Sequence, residues 1–155
     1  MFHVVLLEPE IPPNTGNIIR LCANSGCRLH LIRPLGFHMD DRLLRRAGLD
    51  YHEWAEVREH ADLDGFVAAA TPRRLWALST RGAGSVYQAD FRPGDALLFG
   101  PETRGLPSAI LDTLEPARIL RLPMRPESRS LNLANAVTAV VYEAWRQNGF
   151  EGAQV

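Results

Sequence analysis

Leu97-Leu98-Phe99-Gly100-Pro101-Glu102-Thr103-Arg104-Gly105-Leu106-Pro107 sets a short apolar run against two glycines, two prolines, a carboxylate and an arginine. The run reads as a buried strand, with the predicted strand spanning Ala96 to Phe99, and the rest as a stiff loop at its carboxyl end. In open α/β sheets that end is where ligands sit. Gly100 and Gly105 permit close backbone approach, and Pro101 and Pro107 stiffen the path. Taken alone, the stretch fits a surface turn as well as a ligand loop; the rest of the chain decides between them.

Working outward, the strands and helices alternate. Phe2 to Leu7 reads as the first strand. A loop with three prolines, Pro9, Pro12 and Pro13, then leads into a helix for which Asn14 or Thr15 is the expected cap and Gly26 the stop. On that helix Ile18, Leu21, Cys22 and Ser25 share one face, and Asn17, Arg20 and Asn24 another. Arg28 to Ile32 is a second strand. Asp40 and Asp41 open a short basic helix carrying Arg42, Arg45 and Arg46, closed by Gly48, with charges that suit the helix dipole. Trp54 to Val57 reads as a short strand, Leu63 to Ala70 as a helix, Leu75 to Leu78 as a strand and Gly82 to Ala89 as a polar loop. Pro107 to Leu114 reads as a helix and Ile119 to Leu122 as a strand. The last helix, from Asn132 to Gln147, has Leu133, Ala136, Val137, Val140, Val141, Ala144 and Trp145 at helical spacing. Such alternation predicts an α/β fold: a mostly parallel sheet with helices on both faces, in one domain over residues 1–155.

Composition narrows the function. A hydrophobic fraction of 46% and a charged fraction of 23% are globular values. No apolar run approaches the roughly 20 residues that span a bilayer, and the start of the chain lacks the features of a secretory signal. The expected location is the cytoplasm, with no membrane partner. Cys22 and Cys27 form neither a disulfide framework nor a zinc site, and His3, His30, His38, His52 and His60 lack metal-ligand spacing, so no metal is expected. Net charge is −1, and all 17 basic residues are arginine, whose planar fork suits phosphate. No nucleophile elbow, Walker loop or G-x-G-x-x-G occurs. What remains is three strand ends with small or rigid residues, at Leu78-Ser79-Thr80, Gly100-Pro101-Glu102 and Leu122-Pro123-Met124. Polar side chains gather at Asn14 to Asn24 and Ser128 to Asn135. A site built largely of backbone hydrogen bonds suits an adenine and a ribose.

Three ordered segments carry a resemblance. Asn14-Thr15-Gly16-Asn17-Ile18-Ile19-Arg20-Leu21-Cys22-Ala23-Asn24 is followed by Phe99 to Pro107. Leu122-Pro123-Met124 then comes with Ser128-Arg129-Ser130-Leu131-Asn132-Leu133-Ala134-Asn135-Ala136. Together they resemble the motifs of the SPOUT superfamily of RNA methyltransferases, in its 2′-O-ribose branch. The resemblance covers nearly the whole chain and implies a deep trefoil knot in the C-terminal half. It also implies S-adenosyl-L-methionine as cofactor and a homodimer formed through the knot and the C-terminal helix. The implied partner is tRNA, gripped at its anticodon stem-loop and methylated on the ribose 2′-hydroxyl of the wobble nucleotide. Another tRNA or ribosomal RNA position, and a non-catalytic RNA-binding module, are the alternative readings.

Carried over residue by residue, the resemblance makes Leu78, Gly100, Leu122 and Ser130 cofactor contacts, with Thr80, Glu102, Met124, Leu131 and Asn135 shaping the pocket. Glu102 is expected to face the cofactor's positive sulfur or a partner arginine, and Arg104 to brace the loop or reach across the dimer. Arg20 becomes the catalytic residue, with Asn14 positioning it or the ribose. Arg42, Arg45, Arg46, Arg125 and Arg129 are expected on RNA phosphates, and Tyr142 near the substrate and the dimer interface. Free arginine has a pKa above about 12 and no acceptor, so it is a poor base. Either Arg20 is partly deprotonated in a crowded cationic site, or it clamps a phosphate that orients the hydroxyl and takes its proton. The second account uses what a guanidinium does well.

Overall fold

The computed structural model describes residues 1–154. Its strands are β1 (His3–Leu7), β2 (Arg28–Ile32), β3 (Arg58–His60), β4 (Leu75–Leu78), β5 (Gly84–Ser85), β6 (Ala96–Phe99) and β7 (Ile119–Arg121). The helices are α1 (Pro12–Ser25), α2 (Asp41–Arg46), α3 (Tyr51–Ala55), α4 (Leu63–Ala70), α5 (Ser108–Leu111) and α6 (Leu133–Gln147). The strands form one seven-stranded sheet in the order β3-β2-β1-β6-β4-β7-β5, and every neighbouring pair is parallel.

Alternation along the central strands sorts the core into two layers. Val4, Leu6, Leu97 and Phe99 face the side covered by α1, α2 and α6. Val5, Leu7, Leu98 and Ala96 face the side covered by α4 and α5, where Phe66, Leu106 and Leu111 pack. From β1 the chain builds outward through β2 and β3, then crosses to the other half of the sheet. The switch point therefore falls between β1 and β6, and the loops after those two strands meet there.

Several local expectations give way to tertiary context. The prolines occupy the first turn of α1, where a missing N–H costs nothing. Helix α1 therefore starts earlier than expected, with Ile11 as its cap residue and no side-chain cap of its own. Asn14 and Thr15 lie inside it, both buried. Trp54 belongs to α3, not a strand, because Asp50 and Glu53 form a capping box that nucleates the helix one turn earlier. The strand follows it, as β3. The polar loop from Gly82 holds the two-residue β5 and a 3-10 turn over Val86–Gln88. Gly82 is required there: a Cβ would lie 2.6 Å from the Leu120 carbonyl carbon of β7. Helix α5 is shorter than the apolar spacing suggests, and β7 ends at Arg121.

Candidate active site

Cofactor-side geometry begins at Gly100. A Cβ there would collide with the backbone of Gly105 and Leu106, so only glycine lets the loop fold back on itself. Gly105 N–H closes that turn on the Pro101 carbonyl at 2.8 Å, and Gly105 itself has φ +67°. Leu106 then plugs into the core beneath. Arg81, from the loop after β4, donates to the Leu106 carbonyl at 2.8 Å and to Ser108 Oγ at 2.9 Å. Two loops are thereby locked around one opening.

That opening is a cavity of about 270 Å³ at the carboxyl ends of β4, β6 and β7. Leu78, Thr80, Gly100, Glu102, Leu122, Met124, Ser130 and Leu131 all line it. Asn135 does not: it sits exposed in the first turn of α6, while the next residue, Ala136, lines the cavity instead. Leu78, Leu122, Leu131 and Leu133 give the cavity apolar walls. The backbone N–H and C=O groups of Thr80, Gly100, Met124 and Leu131 have no hydrogen-bond partner among the described residues. Apolar walls with free backbone donors and acceptors suit a purine nucleoside, so the residues present fit S-adenosylmethionine.

Glu102, besides lining the cavity, makes contacts that the sequence reading did not foresee. Its carboxylate accepts from Glu10 N–H at 2.9 Å, Ile11 N–H at 2.6 Å and Asn14 Nδ2 at 3.3 Å. The cofactor loop thus supplies the N-terminal cap that α1 lacks, and places negative charge at the positive end of that helix. Asn14 Oδ1 in turn accepts from Asn132 Nδ2 at 2.9 Å, and Asn132 Oδ1 caps α6 through Ala134 N–H at 2.9 Å. Asn14 is only 5% exposed and ties together all three resembling segments. A second link runs from Thr103 Oγ1 to the Glu10 carboxylate at 2.8 Å. Hydrogen bonds from the Thr103 backbone and hydroxyl hold the Glu10 pKa below the ordinary carboxylate value. Arg104 lies 3.8 Å from Glu8 within the same chain.

Arg20 lies elsewhere. It is on the Asn17–Asn24 face of α1, with its side chain 52% exposed. Its guanidinium donates to the Gly48 carbonyl and, at 3.3 Å, to Glu53 Oε2. Asn14 does not touch it, and Arg20 does not line the cavity. Its partners are Gly48, in the turn after α2, and Glu53, on α3; the sequence reading paired Arg20 with neither. Arg42, Arg45 and Arg46 are exposed on α2 and make no ion pair among the described residues. Arg125 and Arg129 are exposed on the loop before α6. Tyr142, 45% exposed, packs edge-on against Trp145, with ring centroids 5.6 Å apart.

Two groups escaped sequence reading because their partners are far apart in the chain. Asp95, fully buried, accepts from Arg74 Nη2 at 2.5 Å, Trp76 Nε1 at 3.0 Å and Arg92 N–H at 2.8 Å. It closes the amino-terminal edge of the sheet. His3, His30 and His60 line up across β1, β2 and β3, with ring nitrogens 3.0 and 2.9 Å apart. All three flank Phe66. Burial, then the neighbouring histidines, lowers the His30 pKa to about 3. Among the described residues no group of three or more His, Cys, Asp or Glu side chains is arranged to hold a metal ion, and no helix is long and apolar enough to cross a membrane.

Residues 1–142 match the model of the SpoU rRNA Methylase family, and the chain belongs to that family. Among curated relatives, the tRNA (cytidine(34)-2′-O)-methyltransferase of Burkholderia pseudomallei (strain 1106a) is 62% identical over 154 residues, covering 98% of this chain and 99% of that one. The enzyme of the same name from Escherichia coli (strain K12) is 60% identical over 153 residues, covering 99% and 98%. Among solved structures, one concerned with 2-OH methylation of C/U34 on tRNA is 48% identical, with a TM-score of 0.87 over 96% of this chain and 97% of that one. The SpoU methyltransferase AviRb from Streptomyces viridochromogenes, solved in complex with the cofactor AdoMet, is 29% identical with a TM-score of 0.77, over 94% and 60%. S-adenosylmethionine is the cofactor of these methylases, and the cavity fits it.

Proposed function

We propose that the chain methylates the ribose 2′-hydroxyl of the wobble nucleotide of tRNA, working as a homodimer. The observation that carries this reading is the cavity at Gly100, whose walls come from the same ordered segments that link to α1 through Asn14. Full-length relatives named for this reaction support the substrate. When bound, S-adenosylmethionine supplies an electrophilic methyl group. Leu78, Leu122 and Leu131 would supply apolar walls for it, and the free backbone groups of Thr80, Gly100, Met124 and Leu131 would supply its hydrogen bonds. Ser130 closes the exposed side of the same cavity. Glu102, held by α1, fixes the loop at the wall of the same cavity.

Arg20 is the catalytic residue of this reading. It grips the phosphate next to the target ribose in a bidentate contact, and that phosphate orients the 2′-hydroxyl and accepts its proton. Positioning of this kind supplies several of the roughly 7–11 kcal/mol that orientation can contribute. To do so Arg20 exchanges Glu53 for the phosphate. Arg42, Arg45, Arg46 and Arg129 add phosphate contacts along the stem-loop, which position the RNA without reading sequence. Because Arg20 lies away from its own chain's cavity, a second copy is what completes the site. The exposed Tyr142 and Phe150 on and after α6 supply apolar surface for that contact. The knot implied by the resemblance would form where the loop at Gly82 packs on the backbone of β7.

Mass spectrometry of tRNA from a strain lacking this protein tests the reading. The wobble ribose methyl should be lost, and should return with the wild-type gene but not with Arg20→Ala. Loss of a methyl from ribosomal RNA instead would move the substrate to the one named in the family's description.

A further inference from the structure

Beside Arg20 lies a groove whose apolar and amide lining the proposed cofactor and phosphate contacts leave unused. It has a volume of about 700 Å³ and runs between the first turns of α1 and the helix α2. Pro12 and Pro13 form one wall, Leu43 and Ala47 the other, and Phe37 and His38 close its end. Phe37 is only partly buried and is absent from both hydrophobic core layers and their packed fringe. An aromatic ring presented at the mouth of a groove, instead of packed into the core beside it, is a surface on which another flat ring can stack.

The polar groups around it select the kind of ring. Asn17 lines the groove, and its amide has no hydrogen-bond partner among the described residues. It therefore offers both a donor and an acceptor to the edge of a base. Arg42 and Arg46 stand at the rim without ion-pair partners. The one carboxylate present, Asp40, is already engaged, accepting from Leu43 N–H at 2.9 Å as the cap of α2. Asn17 precedes Arg20 by three residues on the same face of α1, so the groove is about one helical turn, or roughly 5 Å along the axis, from the arginine. That is within the reach of one nucleotide from the phosphate Arg20 is placed on.

We infer that this groove is a base-stacking subsite for an unpaired nucleotide of the substrate RNA adjacent to the methylated one. Phe37 stacks on the base, Asn17 meets its edge, and Arg42 and Arg46 hold the flanking phosphates. Single-stranded RNA is recognised in this way, by splayed bases on aromatic rings with cations along the backbone. The inference rests on the tRNA methylation reading. It goes beyond that reading in giving the anticodon loop a second anchoring point, separate from the methylated nucleotide.

The test pairs a protein variant with a modified substrate. Full-length tRNA is assembled by ligation with an abasic residue at one anticodon-loop position at a time, and its binding to the wild-type protein is compared with binding to Phe37→Leu and Phe37→Tyr. Wild type should lose about ten- to hundredfold in affinity for an abasic residue at one position next to the target, the span of a lost base stack. Phe37→Leu should bind the intact tRNA equally poorly and be indifferent to that abasic residue. Phe37→Tyr should behave as wild type. A merely structural role for Phe37 would leave the abasic sensitivity in place in Phe37→Leu, and that result overturns the subsite. If wild type methylates the wobble ribose but no adjacent abasic position weakens binding, the subsite fails and the methylation reading stands. If wild type neither binds nor methylates tRNA, both fall.

Discussion

The cofactor side and the arginine side of the site are built in opposite ways. At the cavity, recognition falls to backbone groups and apolar walls, and the loops that carry them are locked by Gly100, Arg81 and the Glu102 cap on α1. At Arg20, the proposed recognition falls to one long exposed side chain held by an ion pair with Glu53 and a bond to the Gly48 carbonyl. The first is a preformed mould. The second is a group parked on partners that an RNA phosphate can replace, since an exposed ion pair is worth only about 0–1 kcal/mol. Preorganisation and exchange thus share one helix, with Asn14 and Glu102 at the start of α1 and Arg20 further along it.

Substitutions should separate these two sides. Arg20→Ala should lower methyl transfer by about a thousandfold or more, equivalent to roughly 4 kcal/mol of barrier, while calorimetric binding of S-adenosylmethionine stays within about twofold. A parallel loss of cofactor binding would break the division. Glu102→Ala should affect both sides. It leaves the N–H groups of Glu10 and Ile11 and the Asn14 amide without their acceptor, which should cost about 2 kcal/mol of stability by denaturant titration and weaken cofactor binding as the loop loosens. Glu53→Ala removes half of the α3 capping box and should cost about 1 kcal/mol. Because the carboxylate competes with phosphate for Arg20, its removal should tighten tRNA binding in a filter assay. Weaker binding would show that Glu53 instead holds Arg20 ready.

The smallest effect is expected far from both sides, at the three histidines under Phe66. A histidine held below its ordinary value of 6.5 in the folded chain takes up its proton first in the unfolded chain. Its stabilising contribution is therefore complete above about pH 6.5 and declines as pH falls toward the folded value of about 3. The melting temperature should drop a few degrees between about pH 7 and pH 5. The drop should be smaller in His30→Leu, while a profile unchanged by that substitution would assign the acid sensitivity elsewhere.

What was legible in the sequence follows the same division. Strands β1, β2, β4 and β6 were readable because short apolar runs report local chain behaviour, whereas the cavity-lining set came from the resemblance of the three ordered segments. The α3 segment misled because Trp54 and Val57 favour strands, whereas the Asp50–Glu53 capping box, legible in principle, decides the outcome. Glu102 was readable as important but not for its role, since its partners lie about ninety residues earlier in the chain. The partners of Arg20, Asp95 and the histidine row are likewise products of sheet order, which brings residues together that no spacing rule connects.

The most direct test of the account is methylation of purified tRNA in vitro with S-adenosylmethionine, followed by nuclease digestion and mass spectrometry. It should find one added methyl on the wobble ribose with wild type and none with Arg20→Ala, although both proteins bind the cofactor equally. A methyl at any other nucleotide, or the same methyl from Arg20→Ala, would contradict it.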